Sequence, residues 1–580
     1  MEINDSFVDH NSFNLLHIGA SFNRKHRHFN IYNTLKTILQ LRYCCSPKAK
    51  LLLSFEETVL TGLAPDGGLY IPTEIPKLPV DWKEKWASLS FQELSFEILS
   101  LYISPDEISP DQLRGLVNKS YSTFRHPDVT PLKQLNDKLF ILELFHGPTF
   151  AFKDVALQLL GNLFEFFLLR RNSEKKPEEP RERLTVVGAT SGDTGSAAIY
   201  GLRNKADISI FILHPKGRVS PIQEAQMTTV TDYNVHNVAV KGTFDDCQDI
   251  VKSLFADREF NATHRLGAIN SINWARILAQ TVYYFLAYFH ARRQLPSPEF
   301  ELQFVVPTGN FGDILAGYFA KRMGLPSARL AVATNANDIL ARFWRSGRYE
   351  KRASQGKSEN SAESVAAPVN GASDGKQAEP SEDGVQATLS PAMDILVSSN
   401  FERLLWYLAY EGIANGDHEA ACKTLAGWMG KVKSDGRVEV PTAVLELARR
   451  DFVAERISDE QTIDTIRSFY KGQPSYTADP HTAVALAAAK LIAPQNDATT
   501  VQVVLSTAHP AKFSEAVASA LEKEESFNFE RDVLPEEFKG LLEKERRVID
   551  VSSADVELVK AVIDTVAQKT NKEAKGGLGV

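Results

Sequence analysis

The chain has 580 residues, of which 43% are hydrophobic and 24% charged, and its formal net charge is −8. A chain of this length exceeds what one small hydrophobic core accommodates, so we expect two or more domains. The mildly acidic charge gives no general attraction for nucleic acid or for an anionic membrane, and we expect neither as a partner. Any anionic ligand must therefore be held by a local cluster of cations and N–H groups.

Cysteine usage and hydropathy predict a cytoplasmic protein. The four cysteines include an adjacent pair and show no CxxC or His/Cys ligand spacing, which indicates a reducing compartment and no metal site. No uninterrupted run of about eighteen apolar residues is present, so a transmembrane helix is not expected. The first 45 residues also lack the apolar core of a signal peptide.

From residue 184 onward, short β-branched runs alternate with helical patterns. The runs that we interpret as strands are residues 184–188, 208–213, 234–240, 304–307, 330–334 and 501–506. The segments with helical patterns are residues 155–169, 196–204 and 313–323. Short apolar runs separated by helices are typical of a parallel sheet that is covered on both faces, so we predict an α/β protein.

Two segments depart from this pattern. Residues 350–390, approximately, consist mainly of Ser, Glu, Ala, Gly, Lys and Pro, with hardly any bulky apolar side chain. Such a segment cannot bury enough surface to offset the entropy lost on ordering, and we predict a disordered insertion there. For the same reason we predict a flexible tail at residues 569–580.

Lys153 ends the apolar run HGPTFAFKD, in which Phe150 and Phe152 precede it. An amine held among apolar side chains has a lowered pKa and is a better nucleophile, as covalent attachment of a carbonyl cofactor requires. A single lysine after a phenylalanine is more often a solvated surface residue. The neighbouring sequence is what favours the chemical interpretation.

Two glycine-rich turns strengthen that interpretation. Residues 188–195 (GATSGDTG) and 307–313 (PTGNFGD) each follow a predicted strand and begin a predicted helix. Such turns direct backbone N–H groups at an anion, at the strand ends where open α/β sheets bind ligands. Each turn alone is equally consistent with ordinary helix capping. Together with Lys153, they predict a covalently anchored phosphorylated cofactor, pyridoxal 5′-phosphate (PLP).

Several longer phrases resemble the threonine synthase family, in its fungal and enterobacterial branch. They are HGPTFAFKD, GATSGDTGSAA, NSINWARILAQ, PTGNFGD, SPAMDILVSSNFERLLW, DPHTAVA and LSTAHPAKF, and they follow SFEETVLTGLAPDGGLYIP near the N-terminus. The resemblance extends in order from about Ser54 to Leu521. Where the family has a Tyr-x-Ser-Thr-Arg-Gly phrase, this chain reads RYCCSPKAK at residues 42–50, so we interpret residues 1–51 as a poorly ordered extension.

The resemblance implies a PLP enzyme of fold type II, like the tryptophan synthase β-subunit, with two α/β lobes around the cofactor and a small N-terminal domain. We therefore expect the N-terminal domain at residues 52–140 and the catalytic domain at residues 141–568. The implied enzyme is a carbon–oxygen lyase acting on phosphates, which converts O-phospho-L-homoserine and water to L-threonine and phosphate. Alternatives are a phospho-lyase that releases 2-oxobutyrate from the same substrate, or a non-catalytic binding protein. The oligomeric state is left open between monomer and homodimer.

The resemblance also implies roles for individual residues. The residues predicted to bind the cofactor are Lys153, Asp193, Gly309, Asn310, Phe311, Gly312, Asp313 and Thr507. Among them, Lys153 would anchor the cofactor and serve as the catalytic acid and base. Thr507 would place a hydroxyl on the pyridine nitrogen, and Asp193 would lie near the ring hydroxyl. The residues 309–313 would hold the cofactor phosphate.

A second set is predicted to bind the substrate and its phosphate. Its members are Ser191, Thr194, Lys216, Asn273 and Arg276. Each basic member taken alone is more typical of an exposed surface charge. His481 and His509 lie at junctions between loops and helices, where we expect them to satisfy backbone groups and not to transfer protons.

Overall fold

The computed structural model describes residues 41–43, 52–64, 67–297, 299–351 and 384–576. Most of the predicted N-terminal extension and most of the predicted insertion lie outside the described residues. Residues 41–43 of the first segment form a strand, and the predicted C-terminal tail overlaps the end of a helix that is described as far as Gly576.

The strands are short and their bounds are as follows. They are β1 (Leu41–Tyr43), β2 (Leu52–Leu53), β3 (Tyr70–Pro72), β4 (Leu132–Asn136), β5 (Leu139–Glu143), β6 (Leu184–Ala189), β7 (Ile208–Pro215), β8 (Val235–Val240), β9 (Leu266–Gly267), β10 (Glu301–Pro307), β11 (Leu330–Thr334), β12 (Arg348–Glu350), β13 (Arg437–Glu439), β14 (Phe452–Arg456), β15 (Thr500–Ser506) and β16 (Ile549–Val551).

The α-helices alternate with these strands over most of the chain. They are α1 (Phe55–Thr61), α2 (Trp82–Lys85), α3 (Phe91–Ser100), α4 (Pro110–Tyr121), α5 (Lys153–Ser173), α6 (Asp193–Leu202), α7 (Pro221–Thr228), α8 (Phe244–Ala256), α9 (Arg258–His264), α10 (Trp274–Gln294), α11 (Gly312–Met323), α12 (Ile339–Ser346), α13 (Phe401–Gly412), α14 (His418–Ser434), α15 (Thr442–Asp451), α16 (Asp459–Tyr470), α17 (Pro480–Ile492), α18 (Ser514–Leu521), α19 (Phe529–Asp532) and α20 (Val556–Gly576). Within the described ranges, none of these helices combines the length and the apolar character needed to cross a membrane.

Two larger sheets form the frame of the molecule. A six-stranded sheet has the order β14-β11-β10-β15-β5-β4, with β4 antiparallel at its edge and the other strands parallel. A five-stranded sheet has the order β16-β8-β7-β6-β9 and is parallel throughout. The six predicted strands are confirmed as β6, β7, β8, β10, β11 and β15, and the three predicted helices as α5, α6 and α11. The predicted α/β architecture with two lobes is therefore confirmed.

The smaller sheets belong to the N-terminal segment and to an edge of the larger lobe. Strands β2, β1 and β3 form an antiparallel sheet in that order, and β12 pairs with β13. Helices α1, α3 and α4 begin at serines whose hydroxyls accept from a backbone N–H three residues on, while the Glu or Gln at that position caps the serine N–H. These reciprocal caps explain why short N-terminal helices begin where they do.

Helix α10 is buried along almost its whole length, from Trp274 to Ala291. A helix that is apolar on all sides belongs in the interior, where it packs between other elements. Trp82 of the N-terminal segment places its ring against Phe285, Tyr288 and Phe289 of α10, with ring centroids 5.5–5.8 Å apart. Trp82 therefore packs the N-terminal segment directly on this core helix.

Helices α5 and α6 meet at a pair of glycines. A Cβ atom added to Gly161 would overlap the carbonyl oxygen of Gly201, and a Cβ on Gly201 would lie 2.5 Å from the carbonyl oxygen of Leu157. The obstacles are backbone atoms, which cannot move away as a flexible side chain would. This close approach fixes the position of α5, and therefore of Lys153 at its start, against α6.

We predict that Gly161→Ala lowers the free energy of unfolding by about 2–3 kcal/mol, because the added methyl group forces the two helices apart. Chemical denaturation followed by circular dichroism measures this change. The matched control is Gly427→Ala, in the middle of α14, where an added Cβ would meet no atom within 4 Å. That variant should be stabilised by up to about 1 kcal/mol because alanine is the better helix former. Equal effects of the two substitutions would contradict the prediction.

Candidate active site

The candidate site lies where three neighbouring parallel strands end. Strands β10, β15 and β5 are adjacent in the six-stranded sheet, so the loops that follow them begin at the same edge. The loop after β5 runs beside the loop after β15, since the N–H of Phe152 donates to the carbonyl of Thr507 over 2.8 Å and the N–H of His509 donates to that of Phe150 over 3.0 Å. The predicted residues Lys153, Gly309 and Thr507 therefore follow neighbouring strands.

The loop that carries Lys153 is closed by a buried carboxylate. Asp154 accepts a hydrogen bond from the Thr149 N–H at 2.7 Å and from the Thr149 hydroxyl at 2.8 Å, and both residues are fully buried. Burial raises the pKa of Asp154 to about 6, although the bonds from Thr149 oppose this rise. The contact turns the chain into helix α5 and sets the direction in which Lys153 leaves the backbone.

Lys153 has the environment that the apolar run predicts. Its side chain is only 12% exposed, and its Nζ lies 5.6 Å from the centre of the Phe152 ring. Burial lowers the pKa of Lys153 to about 8, and the positive charges of Lys512 and Arg276 act in the same direction. The carboxylate of Asp193, 4.0 Å from the amine, opposes this shift. The neutral amine is therefore far more populated near physiological pH than in an ordinary lysine, although the ammonium form still predominates.

Asp193, at the start of α6, links the two sheets through its carboxylate. Its Oδ1 atom accepts from Lys512 Nζ at 2.9 Å and from Gln223 Nε2 at 2.8 Å, while Oδ2 faces Lys153. Burial by itself would raise the pKa of Asp193, but the charges of Lys512 and Lys153 outweigh burial and hold the pKa well below its usual range. The carboxylate is therefore charged throughout the physiological pH range.

Lys512 is the residue of this cluster that the sequence analysis missed. Its side chain is fully buried, and its Nζ donates to the carbonyl of Thr149 at 2.7 Å as well as to Asp193. Lys512 lies in the phrase LSTAHPAKF, in which the family resemblance implies a role only for Thr507. A lysine two residues after a proline gives no local sign of burial. Only the position of Lys512 in that phrase could have indicated that it belongs to the site.

The loop after β10 provides unpaired N–H donors. Within the part of the chain that the structure describes, the N–H groups of Gly309, Asn310 and Phe311 donate to no protein acceptor. Helix α11 begins immediately afterwards at Gly312, so its own first N–H groups point the same way. Free N–H donors at a helix start form a suitable site for a phosphate group. The residues present therefore fit the cofactor phosphate that the sequence predicts.

This loop is shaped by its backbone and by the chain that packs on it. Phe311 adopts a left-handed conformation, with φ of +62°, and is buried. The carbonyl of Gly309 accepts from the Ser398 hydroxyl at 2.7 Å, and that of Asn310 accepts from the N–H of Asn400 at 3.1 Å. A Cβ on Gly309 would lie 3.0 Å from the Ala392 carbonyl oxygen, so the segment after the predicted insertion packs closely on the loop.

The side chain of Asp313 points to helix α10. Its Oδ1 atom accepts from the hydroxyls of Tyr283 and Tyr284, at 2.5 and 2.9 Å. Burial raises the pKa of Asp313 to about 6, although the two tyrosines oppose the rise. The Asp313 carboxylate therefore anchors the loop to helix α10. The backbone N–H of Asp313, and not its side chain, is the group that can bind an anion.

Arg276 and Asn273 lie together at the start of α10 but differ in their contacts. Arg276 is 3% exposed, and its Nη1 donates to the carbonyl of Ile269, whereas its Nε has no partner among the described residues. Burial lowers the pKa of Arg276 to about 10. Both polar atoms of the Asn273 amide have a partner, since Nδ2 donates to the Val59 carbonyl and Oδ1 accepts from the N–H of Ala275. Arg276 therefore retains a nitrogen atom with no partner, whereas each polar atom of the Asn273 side chain already makes a hydrogen bond.

The remaining residues predicted to bind substrate are more exposed. Ser191 is exposed and Thr194 is half-buried, on either side of Asp193 in the turn that begins α6. Thr190 caps this turn, because its hydroxyl accepts from the N–H groups of Gly192 and Gly195. Ser191 and Thr194 flank Asp193, whose carboxylate lies 4.0 Å from the Lys153 amine.

Lys216 follows strand β7, and its contact is with another part of the chain. Its Nζ lies 2.8 Å from Asp550 of strand β16, and both side chains are more than half exposed. The structure therefore gives Lys216 a surface ion pair and does not bring it into the buried cluster around Lys153.

The two histidines satisfy backbone groups, as expected. His481 is buried, its Nδ1 lies 2.8 Å from Asp479, and its Nε2 accepts from the N–H of Ala392 at 3.2 Å. His509 accepts from the N–H of Ala511 at 3.2 Å, and burial lowers its pKa to about 4. Neither ring is free to exchange protons without breaking a structural contact.

Three family models match the chain. The model described as "Threonine synthase N terminus" matches residues 42–121, "Pyridoxal-phosphate dependent enzyme" matches residues 124–396, and "Threonine synthase, C-terminal" matches residues 482–563. The first match begins inside the segment that we interpret as an N-terminal extension.

Individual relatives are similar over most of their length. The threonine synthase of Schizosaccharomyces pombe is 54% identical over 532 residues, which cover 91% of this chain and 99% of that protein. The threonine synthase of Pseudomonas aeruginosa is 41% identical over 87% of this chain and 95% of its own. The crystal structure of threonine synthase from yeast is similar with a TM-score of 0.83, at 51% identity over 92% of this chain and 99% of that one. A PLP-bound threonine synthase structure from Brucella melitensis has a TM-score of 0.76, at 38% identity, covering 91% and 99% of the two chains.

We predict that Asp193→Asn lowers the free energy of unfolding by about 3–5 kcal/mol, because it leaves the ammonium group of Lys512 buried without its counter-charge. Equilibrium denaturation of the cofactor-free protein measures this change. The wild-type contribution should be fully present above the ordinary carboxyl pKa of about 4 and should decline as the pH falls below it, since the folded-state pKa is lowered.

The control for this prediction is Lys216→Ala, which removes the exposed ion pair with Asp550. Exposed pairs contribute less than about 1 kcal/mol, so this variant should unfold almost as the wild type does. A similarly small effect of Asp193→Asn would show that the buried pair does not stabilise the fold.

Proposed function

This chain belongs to the threonine synthase family, and from that premise we propose that it converts O-phospho-L-homoserine and water to L-threonine and phosphate. Its cofactor is PLP. The observation that carries the proposal is the buried Lys153, with its lowered pKa, beside the charged Asp193 and at the same sheet edge as a loop with free N–H donors.

The residues that would hold the cofactor follow from these contacts. Lys153 would anchor it covalently, and the N–H groups of residues 309–313 would bind its phosphate. The hydroxyl of Thr507 would face the ring nitrogen, and the carboxylate of Asp193 would lie near the ring hydroxyl. When bound, PLP supplies an electron sink that stabilises negative charge on the carbon atoms of an attached amino acid.

Lys153 is also the proposed acid and base. With substrate carried by the bound cofactor, the amine of Lys153 would lie next to Asp193, where it would accept protons from the substrate's Cα and Cβ and would deliver protons to Cγ and back to Cα. A group transfers protons most effectively when its pKa is close to the working pH, and the pKa of about 8 meets this condition. Asp193 and Lys512 orient the amine without exchanging protons themselves.

Loss of the substrate phosphate requires cations and hydrogen-bond donors where charge develops. Arg276 is the proposed cation, since it is buried near Lys153 and has an unpaired Nε atom. Ser191 and Thr194 are the proposed hydroxyl donors at the turn that begins α6. Lys216 would take part only by leaving its ion pair with Asp550, whereas Asn273 would donate through the second N–H of its Nδ2 atom.

Two alternatives differ from this proposal in what they release. A phospho-lyase would use the same cofactor site and the same substrate but would release 2-oxobutyrate, because water would not add at Cβ. A non-catalytic binding protein would need no covalent anchor, whereas Lys153 is present in a buried and chemically suitable position. The products therefore distinguish the first alternative, and turnover distinguishes the second.

We predict that the PLP-loaded protein releases phosphate and L-threonine in equal amounts from O-phospho-L-homoserine. Phosphate, threonine and 2-oxobutyrate should be assayed in the same reaction. Lys153→Ala should lose both turnover and the visible absorption band of covalently attached PLP, whereas Lys523→Ala, at an exposed position, should retain both. Release of 2-oxobutyrate in place of threonine would favour the phospho-lyase, and turnover by the Lys153 variant would contradict the assignment of the anchor.

We further predict that cofactor attachment depends on Lys512. The rate at which cofactor-free protein binds PLP covalently should rise with pH, with a midpoint near pH 8, as Lys153 becomes neutral. In Lys512→Gln the midpoint of this pH dependence should move upward by about one pH unit or more. The positive charge of Lys512 no longer lowers the pKa of Lys153, and Lys153 becomes the only lysine that pairs with Asp193. The growth of the visible absorption band measures the rate. The control Lys523→Gln should leave the midpoint unchanged, and an unchanged midpoint in the Lys512 variant would contradict the prediction.

A further inference from the structure

Arg125 lies in the loop between α4 and β4 and contacts the segment that leads to Lys153. Its backbone N–H donates to the carbonyl of His146 at 2.9 Å, its Nη1 donates to that of Gly147, and its Nη2 donates to that of Pro148 at 3.3 Å. One residue therefore fixes three successive carbonyls of the Lys153 loop. Arg125 is not among the residues predicted to bind cofactor or substrate.

Phe150, in the same loop, has an unfavourable backbone conformation. It is left-handed, with φ of +60°. A bulky side chain is sterically hindered in this conformation, which persists only where the surrounding contacts hold it. The Phe150 N–H donates to the Gly147 carbonyl at 3.2 Å, and the Phe150 carbonyl accepts from the N–H of His509 at 3.0 Å. The turn at Phe150 determines how the chain enters α5, which begins at Lys153.

The ring of Phe150 is enclosed by groups from three other segments. The guanidinium of Arg125 lies 3.9 Å from the ring centre. The rings of Phe538 and His509 meet the Phe150 ring nearly at right angles, with centroids 4.9 and 5.4 Å away. The face of an aromatic ring attracts a cation, and its edges favour other rings. Phe150 is buried, so its ring cannot turn away without breaking these contacts.

The C-terminal part of the chain sets the orientation of the guanidinium. Nε of Arg125 lies 2.5 Å from the carboxylate of Glu537, in the short helical turn Glu536–Phe538. This turn therefore contacts both the cation, through Glu537, and the Phe150 ring, through Phe538. A guanidinium donates in several fixed directions at once, which allows one side chain to join the turn to the loop.

We propose that Arg125 is a positioning residue for Lys153, which keeps Phe150 in its left-handed conformation and so sets the position of the Lys153 amine. The inference rests on the proposed function, in which Lys153 is the covalent anchor. Arg125 acts only through the loop and contacts neither cofactor nor substrate in this role. A misplaced nucleophile reacts slowly even when it is in the correct charge state.

Orientation and charge have separable effects in this site. The charges with the largest effect on the pKa of Lys153 are those of Asp193, Lys512 and Arg276. Removal of Arg125 should therefore slow the reaction of the Lys153 amine without changing the pH at which the amine becomes neutral. Removal of Lys512 should instead move that pH.

The test is the rate at which the full-length, cofactor-free protein binds PLP covalently, followed by the visible absorption band over a range of pH. In Arg125→Met, the rate reached well above pH 8 should fall by about tenfold or more, because the amine is displaced. The midpoint of the pH dependence should stay where it is in the wild type. An unchanged rate at high pH, with or without a moved midpoint, would overturn the proposal.

The matched control is Lys321→Met, near the end of α11. Lys321 is also a partly buried cation that donates to two carbonyls, those of Ser327 and Ala328, at 3.0 Å each. It also has one nearby carboxylate, that of Asp451 at 3.8 Å. This variant loses similar contacts outside the Lys153 loop, so it should bind PLP at the wild-type rate. An equal loss of rate in both variants would show a general effect of stability and would refute the positioning role.

Two further measurements do not depend on how well Arg125→Met folds. Phe538→Leu should lower the rate at high pH by about threefold, because the ring that packs on Phe150 is lost. In Arg125→Ala, millimolar guanidinium chloride should restore part of the rate, whereas the same concentration of sodium chloride should not. Absence of both effects would contradict the proposal. Because PLP attachment is measured and turnover is not, failure of the proposed reaction would leave the result intact.

Discussion

The carboxylate of Asp193 is buried between two lysine ammonium groups, at 2.9 Å from Lys512 and 4.0 Å from Lys153. Asp193 follows β6 in the five-stranded sheet, whereas Lys153 follows β5 and Lys512 follows β15 in the six-stranded sheet. A charge in the protein interior is tolerated only when it is paired and hydrogen-bonded. The two lobes must therefore meet in the arrangement that satisfies Asp193, and that arrangement also sets the charge state of Lys153.

The Lys153 loop depends on the same cluster for its shape. Lys512 donates to the carbonyl of Thr149, and Asp154 accepts from the N–H and the hydroxyl of Thr149. All three polar groups of Thr149 are therefore fixed by buried charged side chains. The glycine contact between α5 and α6 fixes the helix that follows. A lysine that must be both a covalent anchor and a proton carrier needs this degree of positioning, because small displacements cost large factors in rate.

The pattern of apolar runs predicted interior strands well and edge strands poorly. The six predicted strands all lie inside the two large sheets, where both faces are covered and the residues are almost continuously buried. Strands β4, β9, β14 and β16 were missed, and each lies at a sheet edge. β14 reads FVAER and is mostly half-exposed, so it lacks an apolar run. β5 is an interior strand that was also missed, since it precedes the alternation that begins at residue 184.

The sequence by itself determined the α/β class, the family, the cofactor and the identity of Lys153 as candidate anchor, because each depends on runs of adjacent residues. Only the tertiary structure decided which distant groups share a site. It joined Lys512 to Asp193, left a free donor on Arg276, turned Asp313 toward two tyrosines and paired Lys216 with Asp550 at the surface. These outcomes depend on strand order and on burial. Lys512 and Asp193, like Lys216 and Asp550, are more than 300 positions apart and carry no local sign of either.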